Sequence, residues 1–445
     1  MRAQFGLATL AAALLIGMPA QAQESPLTGQ AAFGDWRADQ LGVKRLITAD
    51  DLEAPDMANS ASNAPGGVDR PANAAPVVPK GFAATLVAEG IPQPRVLRFA
   101  PNGDLYIADS ASGEVVFIPA GDLAAGTSTP KVYASSLDAP YGLAFYPASD
   151  PKWLYVAETG RVVRFAWNAT DGMATSEPEV IVPNLPTGGH WTRDIAFSPD
   201  GKVMYVAVGS DSNVARQIGS APNGGLDAWI GAQPLGAAWN QEERRAVVLA
   251  FDPDGKNERV FATGLRNCAG MTVQPQTGAL WCVVNERDGM GDNVPYDYAT
   301  SVGEGRFYGW PWYYIGDNPD PRWASQPRDD LKGKVTVPDV LFQAHSAPLG
   351  ITFHSGKALG ADYAGDAFVT LRGSWNRGSR TGYKLVRLDI DASGRATGIY
   401  EDFAIGFVID DERVWGRPVG ITEGMDGALY MSEDGSGTIW RIARE

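Results

Sequence analysis

One pattern recurs along this chain and decides most of what it can become. It reads apolar-x-Phe, then Pro-x-Gly or a similar turn, then apolar-Tyr-apolar-acidic. The first copy runs from Leu97-Arg98-Phe99 through Pro101-Asn102-Gly103 to Leu105-Tyr106-Ile107-Ala108-Asp109. Later copies start at Leu143-Ala144-Phe145, Ile195-Ala196-Phe197, Met271-Thr272-Val273, Ile351-Thr352-Phe353 and Ile421-Thr422-Glu423. Each predicts a hairpin: a half-buried strand, a Pro/Gly turn and a second strand alternating in and out. A third strand follows in places, as at Val162-Val163-Arg164-Phe165 and Lys384-Leu385-Val386-Arg387-Leu388. Six such units, about 45–80 residues apart, point to radial repetition, which leaves few open sheet edges. The expected fold is all-β, a six-bladed β-propeller, with Ala84-Thr85-Leu86-Val87 as the outer strand completing the last blade. A stacked β-solenoid would show shorter and more even spacing.

The spacing also locates the chemistry. The third to sixth copies lie about 70–80 residues apart, and the surplus falls in residues 210–243 and 290–340. Long loops on a rigid scaffold are where sites are built.

The rest of the chain divides around the propeller. Residues 1–22 read as an export signal: Arg2, an apolar run from Phe5 to Ile16, and a small-x-small site at Ala20-Gln21-Ala22. That run is too short to span a membrane, so the expected localisation is periplasmic or secreted. Residues 23–80, rich in Ala, Asn and Pro, read as a flexible leader. The propeller then occupies 81–445. Cys268 and Cys282 are the two cysteines, and an even pair in an exported chain favours a disulfide. They flank a predicted hairpin whose register places Met271, rather than Cys268, opposite Cys282.

The net charge is −15. A surface of that sign repels nucleic acid and anionic membrane at long range. Neutral small molecules and cations remain, while an anionic ligand needs a local cluster of arginines.

Such a cluster is legible. Arg266 in Gly264-Leu265-Arg266, Arg372 in Leu371-Arg372-Gly373 and Arg417 in Gly416-Arg417-Pro418 each precede a hairpin beside glycine. Singly each reads as a surface residue. Together they imply a polyanionic small ligand held by charge-assisted hydrogen bonds. There are three histidines. His190, in Gly188-Gly189-His190-Trp191, sits where a glycine-rich loop enters the third hairpin and reads as a general base, or else as a packing histidine. His345 and His354 read as structural. Asn285-Glu286-Arg287-Asp288-Gly289-Met290-Gly291-Asp292-Asn293 is rich in hard oxygen donors but lacks the EF-hand pattern; it is a Ca²⁺ site or a solvated turn. The aromatic run 306–314, with Tyr308 and Trp310, is either core or a sugar-stacking surface.

These motifs, in this order, resemble the soluble glucose/sorbosone dehydrogenase family, quinoproteins that use pyrroloquinoline quinone (PQQ) on a six-bladed propeller. The segments that carry the resemblance are 189–194, 264–267, 285–292, 308–311, 373–377 and 416–419, and the nearest branch is that of the L-sorbosone dehydrogenases. The resemblance implies cofactor contacts from Arg266, Asn267, Arg372 and Arg417 to the three carboxylates of PQQ, and Ca²⁺ at Asp288 and Gly289. It implies His190 as the base, with Asp211 to orient it, and Tyr308 and Trp310 beside the substrate. The substrate would be L-sorbosone, oxidised to 2-keto-L-gulonate, or an aldose, oxidised to its lactone. Electrons would pass to a separate acceptor (a cytochrome, quinone or dye), since the chain has no Cys-x-x-Cys-His haem motif. Three positions depart from the glucose-oxidising members: Ala269 replaces a glutamine, Val419 an arginine, and Arg372 stands in the region of a lysine. The rival readings are a Ca²⁺-dependent propeller hydrolase of the sugar-lactonase type and a non-catalytic propeller that binds a glycan or a protein.

Overall fold

The computed structural model describes residues 25–445 apart from positions 127, 171, 221 and 223. The expected export signal lies outside the described residues. Six sheets form a ring, and each hairpin read from the sequence is the inner half of one of them. The first blade runs from its inner strand Pro94–Phe99 through Leu105–Asp109 and Glu114–Ile118 to Lys131–Ala134. The inner strands of the next five blades are Gly142–Tyr146, Ile195–Phe197, Cys268–Val273, Pro348–Phe353 and Pro418–Glu423. Successive inner strands pack side by side all the way round, the last against the first. The six-bladed propeller is therefore closed.

Closure uses the two ends of the chain. Phe82–Ala88 pairs antiparallel with Thr438–Arg444, Trp440 opposite Leu86 and Ile442 opposite Ala84, and completes the last blade as expected. The recurring sequence features have physical causes here. Gly142, Gly270, Gly350 and Gly420 lie on inner strands, where a Cβ would come within 2.2–2.6 Å of a neighbouring blade's carbonyl oxygen. Only glycine permits that approach. The acidic residue that ends the repeat ties down neighbouring main chain: Asp109 accepts from the Gln93 amide and Glu158 from Asp138, both ahead of the blade's inner strand, and Glu433 accepts from Gly435 and Thr438 in the turn that follows it. In the fourth blade Cys268 and Cys282 are bonded, with Cα atoms 5.8 Å apart. Met271 does pair with Cys282, and the register shifts between Cys268 and Gly270.

Residues 25–80 correct one expectation. They are not a free leader but wind over the fifth and sixth blades. Lys44–Leu46 adds a fifth strand to the fifth blade, Gly66–Gly67 pairs in parallel with Arg413–Val414, and Val77 bridges Ile405. Arg45 and Lys384 share Asp39 and Asp402 in a buried network of four charges, with contacts of 2.5–3.4 Å. The segment lacks apolar periodicity because it borrows order from an open sheet edge through its main chain, which needs no sequence pattern.

Candidate active site

On the face where the chain enters each inner strand, loops from several blades enclose a cavity of about 450 Å³. Leu349 lines it, and Ala269 and Val419, two of the three positions that depart from the glucose-oxidising pattern, pack against Leu349.

The third blade contributes His190. Gly189 has φ 54°, and a Cβ there would lie 2.3 Å from the Asp211 carbonyl oxygen. At Gly209 a Cβ would lie 2.6 Å from that of His190. The two glycines let the 187–190 and 209–211 turns stack, which fixes the imidazole. Its Nδ1 lies 2.9 Å from the Ser210 carbonyl and 3.0 Å from Ser210 Oγ. A carbonyl only accepts, so Nδ1 carries the hydrogen and Nε2 keeps its lone pair. Burial, helped by the charge of Arg266, pushes the His190 pKa down to about 3. The ring is neutral at physiological pH and available as a base.

The first, fifth and sixth blades build a cationic corner. Arg372 grips Asp434 through Nε and Nη2 at 3.0–3.1 Å. Arg95 reaches the same carboxylate at 3.1 Å and stacks over Trp191 at 5.1 Å. Arg417 has a buried Nε without a hydrogen-bond partner, and burial together with Arg372 lowers its pKa to about 10. Two guanidiniums thus share the Asp434 carboxylate and a third, Arg417, stands nearby without an ion pair among the described residues, which leaves an anion-binding excess.

The opposite wall is rich in oxygen. Asp288, Asp297, Glu286 and Asn285 line it with His345. Burial raises the pKa of Asp297 to about 7, opposed by the nearby His345 and by amides from Glu286 and Ala347. For Asp288 burial is outweighed by His345 and Arg266, and its pKa is lowered. Arg266 ties this wall to the third blade. Its Nε donates to the Asn213 carbonyl, Nη1 to Asn285 and Glu286, and Nη2 to Asn213 Oδ1 and Asp288. All five of its N–H groups are engaged, so it acts chiefly as a clamp and as the charge beside His190.

The TrAA12-like family profile matches residues 76–300 and 325–445. The chain belongs to the TrAA12-like family. It is 22% identical over 411 residues to a pyrroloquinoline quinone-dependent sugar dehydrogenase of Hypocrea jecorina, covering 82% of this chain and 89% of that protein. Among solved structures it is similar to a calcium structure of a Trichoderma reesei carbohydrate-active enzyme of family AA12, with TM-score 0.67, 20% identity and coverage of 83% and 97%. It is also similar to the holo form of the PQQ domain of a Coprinopsis cinerea pyranose dehydrogenase, with TM-score 0.66, 21% identity and coverage of 86% and 100%. The resemblance read from the motifs agrees with these relatives.

In this TrAA12-like chain the structure brings His190, Asp211, Arg266, Asp288, Arg372 and Arg417 to one cavity. Several expectations need correction. Asp211 does not orient His190; it lies 3.7 Å from Arg245, and Ser210, one residue earlier, holds the ring. Tyr308 is core, its hydroxyl donating to the Ser301 carbonyl and accepting from the Gly303 amide. Trp310 is also buried, with Nε1 on the Asn213 carbonyl. Neither lines the cavity: Trp310 packs with Trp239, Trp312 and Trp323, and Tyr308 joins a separate core cluster that includes Tyr298 and Tyr314. Asn267 stands behind His190, accepting from Thr192 Oγ1 at 3.4 Å. Gly289 meets Asn376 through its amide, and the Asp288 carbonyl already accepts from Asn213 and Arg322. His354 is confined between Gly427 and Gly356, as expected of a structural histidine, whereas His345 lines the cavity. Sequence reasoning missed Arg95, Asp434 and Trp375. The first two are ordinary strand-end residues until the ring closes. Trp375 lay in a quoted motif, but only its exposure inside the cavity marks it.

Proposed function

We propose that this protein is a PQQ-dependent dehydrogenase of a neutral sugar or sugar aldehyde, an oxidoreductase with His190 as the base. The observation that carries the reading is the neutral imidazole of His190 in the same cavity as a cationic corner with unspent charge. The residues fit the cofactor. Its carboxylates suit the positive excess of Arg372 and Arg417, backed by Arg95, over Asp434, and the orphaned Arg417 Nε supplies an unspent donor. Hard oxygen donors fit Ca²⁺. With the Asp288 main-chain carbonyl filled, the carboxylate of Asp288 is the atom group that would hold it.

Bound there, PQQ with its Ca²⁺ supplies the electrophile that takes two electrons as hydride. The chain's own residues supply the rest. His190 Nε2 removes the substrate hydroxyl proton as the C–H bond of the same carbon breaks, and the Nδ1–H bond to Ser210 stabilises the imidazolium that forms. Arg266 keeps the base neutral until then. Leu349, packed against Ala269 and Val419, gives the cavity an apolar patch. An aldose hemiacetal would leave as its lactone. Hydrated L-sorbosone would leave as 2-keto-L-gulonate, a finer assignment that rests on motif resemblance alone. The readings of export and of a separate electron acceptor belong to the same proposal.

The test is dye reduction by the purified protein with PQQ and Ca²⁺, run over L-sorbosone, glucose and a panel of pyranoses, with His190→Ala alongside. Quinone-dependent reduction lost in the variant is expected. A folded protein that binds no quinone and oxidises none of the panel would refute it.

A further inference from the structure

The loop at residues 373–380 carries Trp375 to the mouth of the cavity, where the indole is 45% exposed. Its composition, Gly373-Ser374-Trp375-Asn376-Arg377-Gly378, holds no apolar anchor other than the exposed tryptophan. Propeller residues hold part of it, with the Gly378 amide on the Asp292 carboxylate at 3.0 Å and Arg377 Nη1 on the Asp292 carbonyl at 2.9 Å, and the N-terminal segment adds a second set of bonds. The Asn63 amide donates to the Trp375 carbonyl at 2.7 Å, and Asn63 Nδ2 to the Gly378 carbonyl at 2.9 Å. Buried Arg380 donates through Nη2 to Asn63 Oδ1 at 2.6 Å and through Nη1 to the Asn63 carbonyl. Two residues earlier, the Ala61 carbonyl accepts from Asn376 Nδ2. The same Asn376 accepts the Gly289 amide at 2.8 Å through Oδ1. Upstream, the Asp56 amide donates to the Met290 carbonyl at 2.8 Å. Residues 56–63 therefore lie as a strap across two of the loops that form the cavity wall. The strap precedes residue 76, where the match to the family begins.

We propose that Asn63 is a positioning residue. Through it the strap fixes the 373–380 loop, so that the Trp375 indole stands as a rigid, sugar-facing wall and makes the N-terminal segment a determinant of substrate selection. An indole presents an apolar face to the C–H face of a pyranose. Its contribution to affinity depends on whether the loop's ordering is already complete before the ligand arrives. Asn63 uses its main-chain N–H and C=O and both polar atoms of its side chain on this loop. Removing it frees the loop without touching the base or the cationic corner. The effect on sugar selection rests on the dehydrogenase reading above, whereas the ordering of the loop does not.

The test compares the full chain with Asn63→Ala and with Asn63→Pro, which also removes the amide donated to Trp375. Hydrogen exchange at residues 373–380 is measured on the protein without cofactor. PQQ affinity is then measured by titration, and KM and kcat for an oxidised sugar follow. Exchange in the loop is expected to rise at least ~10-fold, and KM to rise about 5–20-fold with kcat and PQQ affinity within about twofold. Trp375→Ala should raise KM similarly, and the double variant should add little. Unchanged protection of the loop in both variants would overturn the proposal. So would a parallel fall of PQQ affinity, kcat and melting temperature, the mark of a purely structural segment. The exchange measurement needs no substrate, so a protein that oxidises no sugar would sink the dehydrogenase reading while the strap is still decided.

Discussion

Replacing His190 with Gln tests the site's electrostatics separately from its catalysis. The imidazole has a pKa near 3 in the folded protein against an ordinary value of 6.5. Below pH 6.5 the unfolded chain therefore binds a proton that the folded protein refuses. Stability present above that pH is lost as pH falls toward the folded value. Each pH unit in this window costs about 1.4 kcal/mol, so the wild type loses about 3 kcal/mol between pH 6.5 and roughly pH 4 on this account. That figure is an upper bound, because the ring borders a solvent-filled cavity that screens part of the charge. Gln cannot titrate, so the variant lacks this loss. The assay is urea denaturation of both proteins without cofactor from about pH 7 to about pH 4. The difference in unfolding free energy, wild type minus variant, should fall steadily with acid. Parallel curves would show that His190 takes up its proton in place, and would refute the neutral-base argument. In turnover the same variant should lose about 10²–10⁴-fold in kcat, the usual contribution of a positioned base.

Three further outcomes follow from the structure. Arg417→Met should weaken PQQ binding by roughly 10–150-fold, the worth of one charge-assisted hydrogen-bond site, while melting temperature stays level or rises because an unpaired buried cation is gone; fluorescence titration and a thermal melt check both. Reduction of the Cys268–Cys282 bond, or Cys268→Ala with Cys282→Ala, should lower stability by about 3 kcal/mol, as expected for a closed loop near this length, read by denaturant unfolding with and without reductant. Arg45→Ala leaves Asp402 and Asp39 with only Lys384, and should cost about 3–5 kcal/mol; limited proteolysis should then cleave first within residues 25–80.

The legible part of this protein was the part that repeats. Six hairpins, their turns and the terminal strand that closes the ring follow from alternation and turn chemistry, which are local properties of a strand. Four of the six copies are preceded by a glycine, Gly142, Gly270, Gly350 and Gly420, whose reason, the close approach of inner strands, shows only in the structure. The residues of the site were legible one at a time, as types: a histidine beside glycines, and arginines ahead of strands. The assignment of the histidine's partner missed by one residue, because Ser210 and Asp211 sit on a turn whose direction depends on Gly189 packing against it.

What the chain determined by itself was the class of fold and the pool of groups that enter the cavity, since both are written in short-range pattern. Only the tertiary structure decided which groups meet. Arg95 and Asp434 lie 339 positions apart and join the site because ring closure places the first blade against the sixth. Tyr308 and Trp310 turned inward because two different core clusters were available to bury them. Residues 56–63 became part of the wall because main-chain hydrogen bonds to another loop require no side-chain code. Local propensity acts over a few residues, whereas a site is assembled from contacts across the whole ring, and no local pattern carries that information.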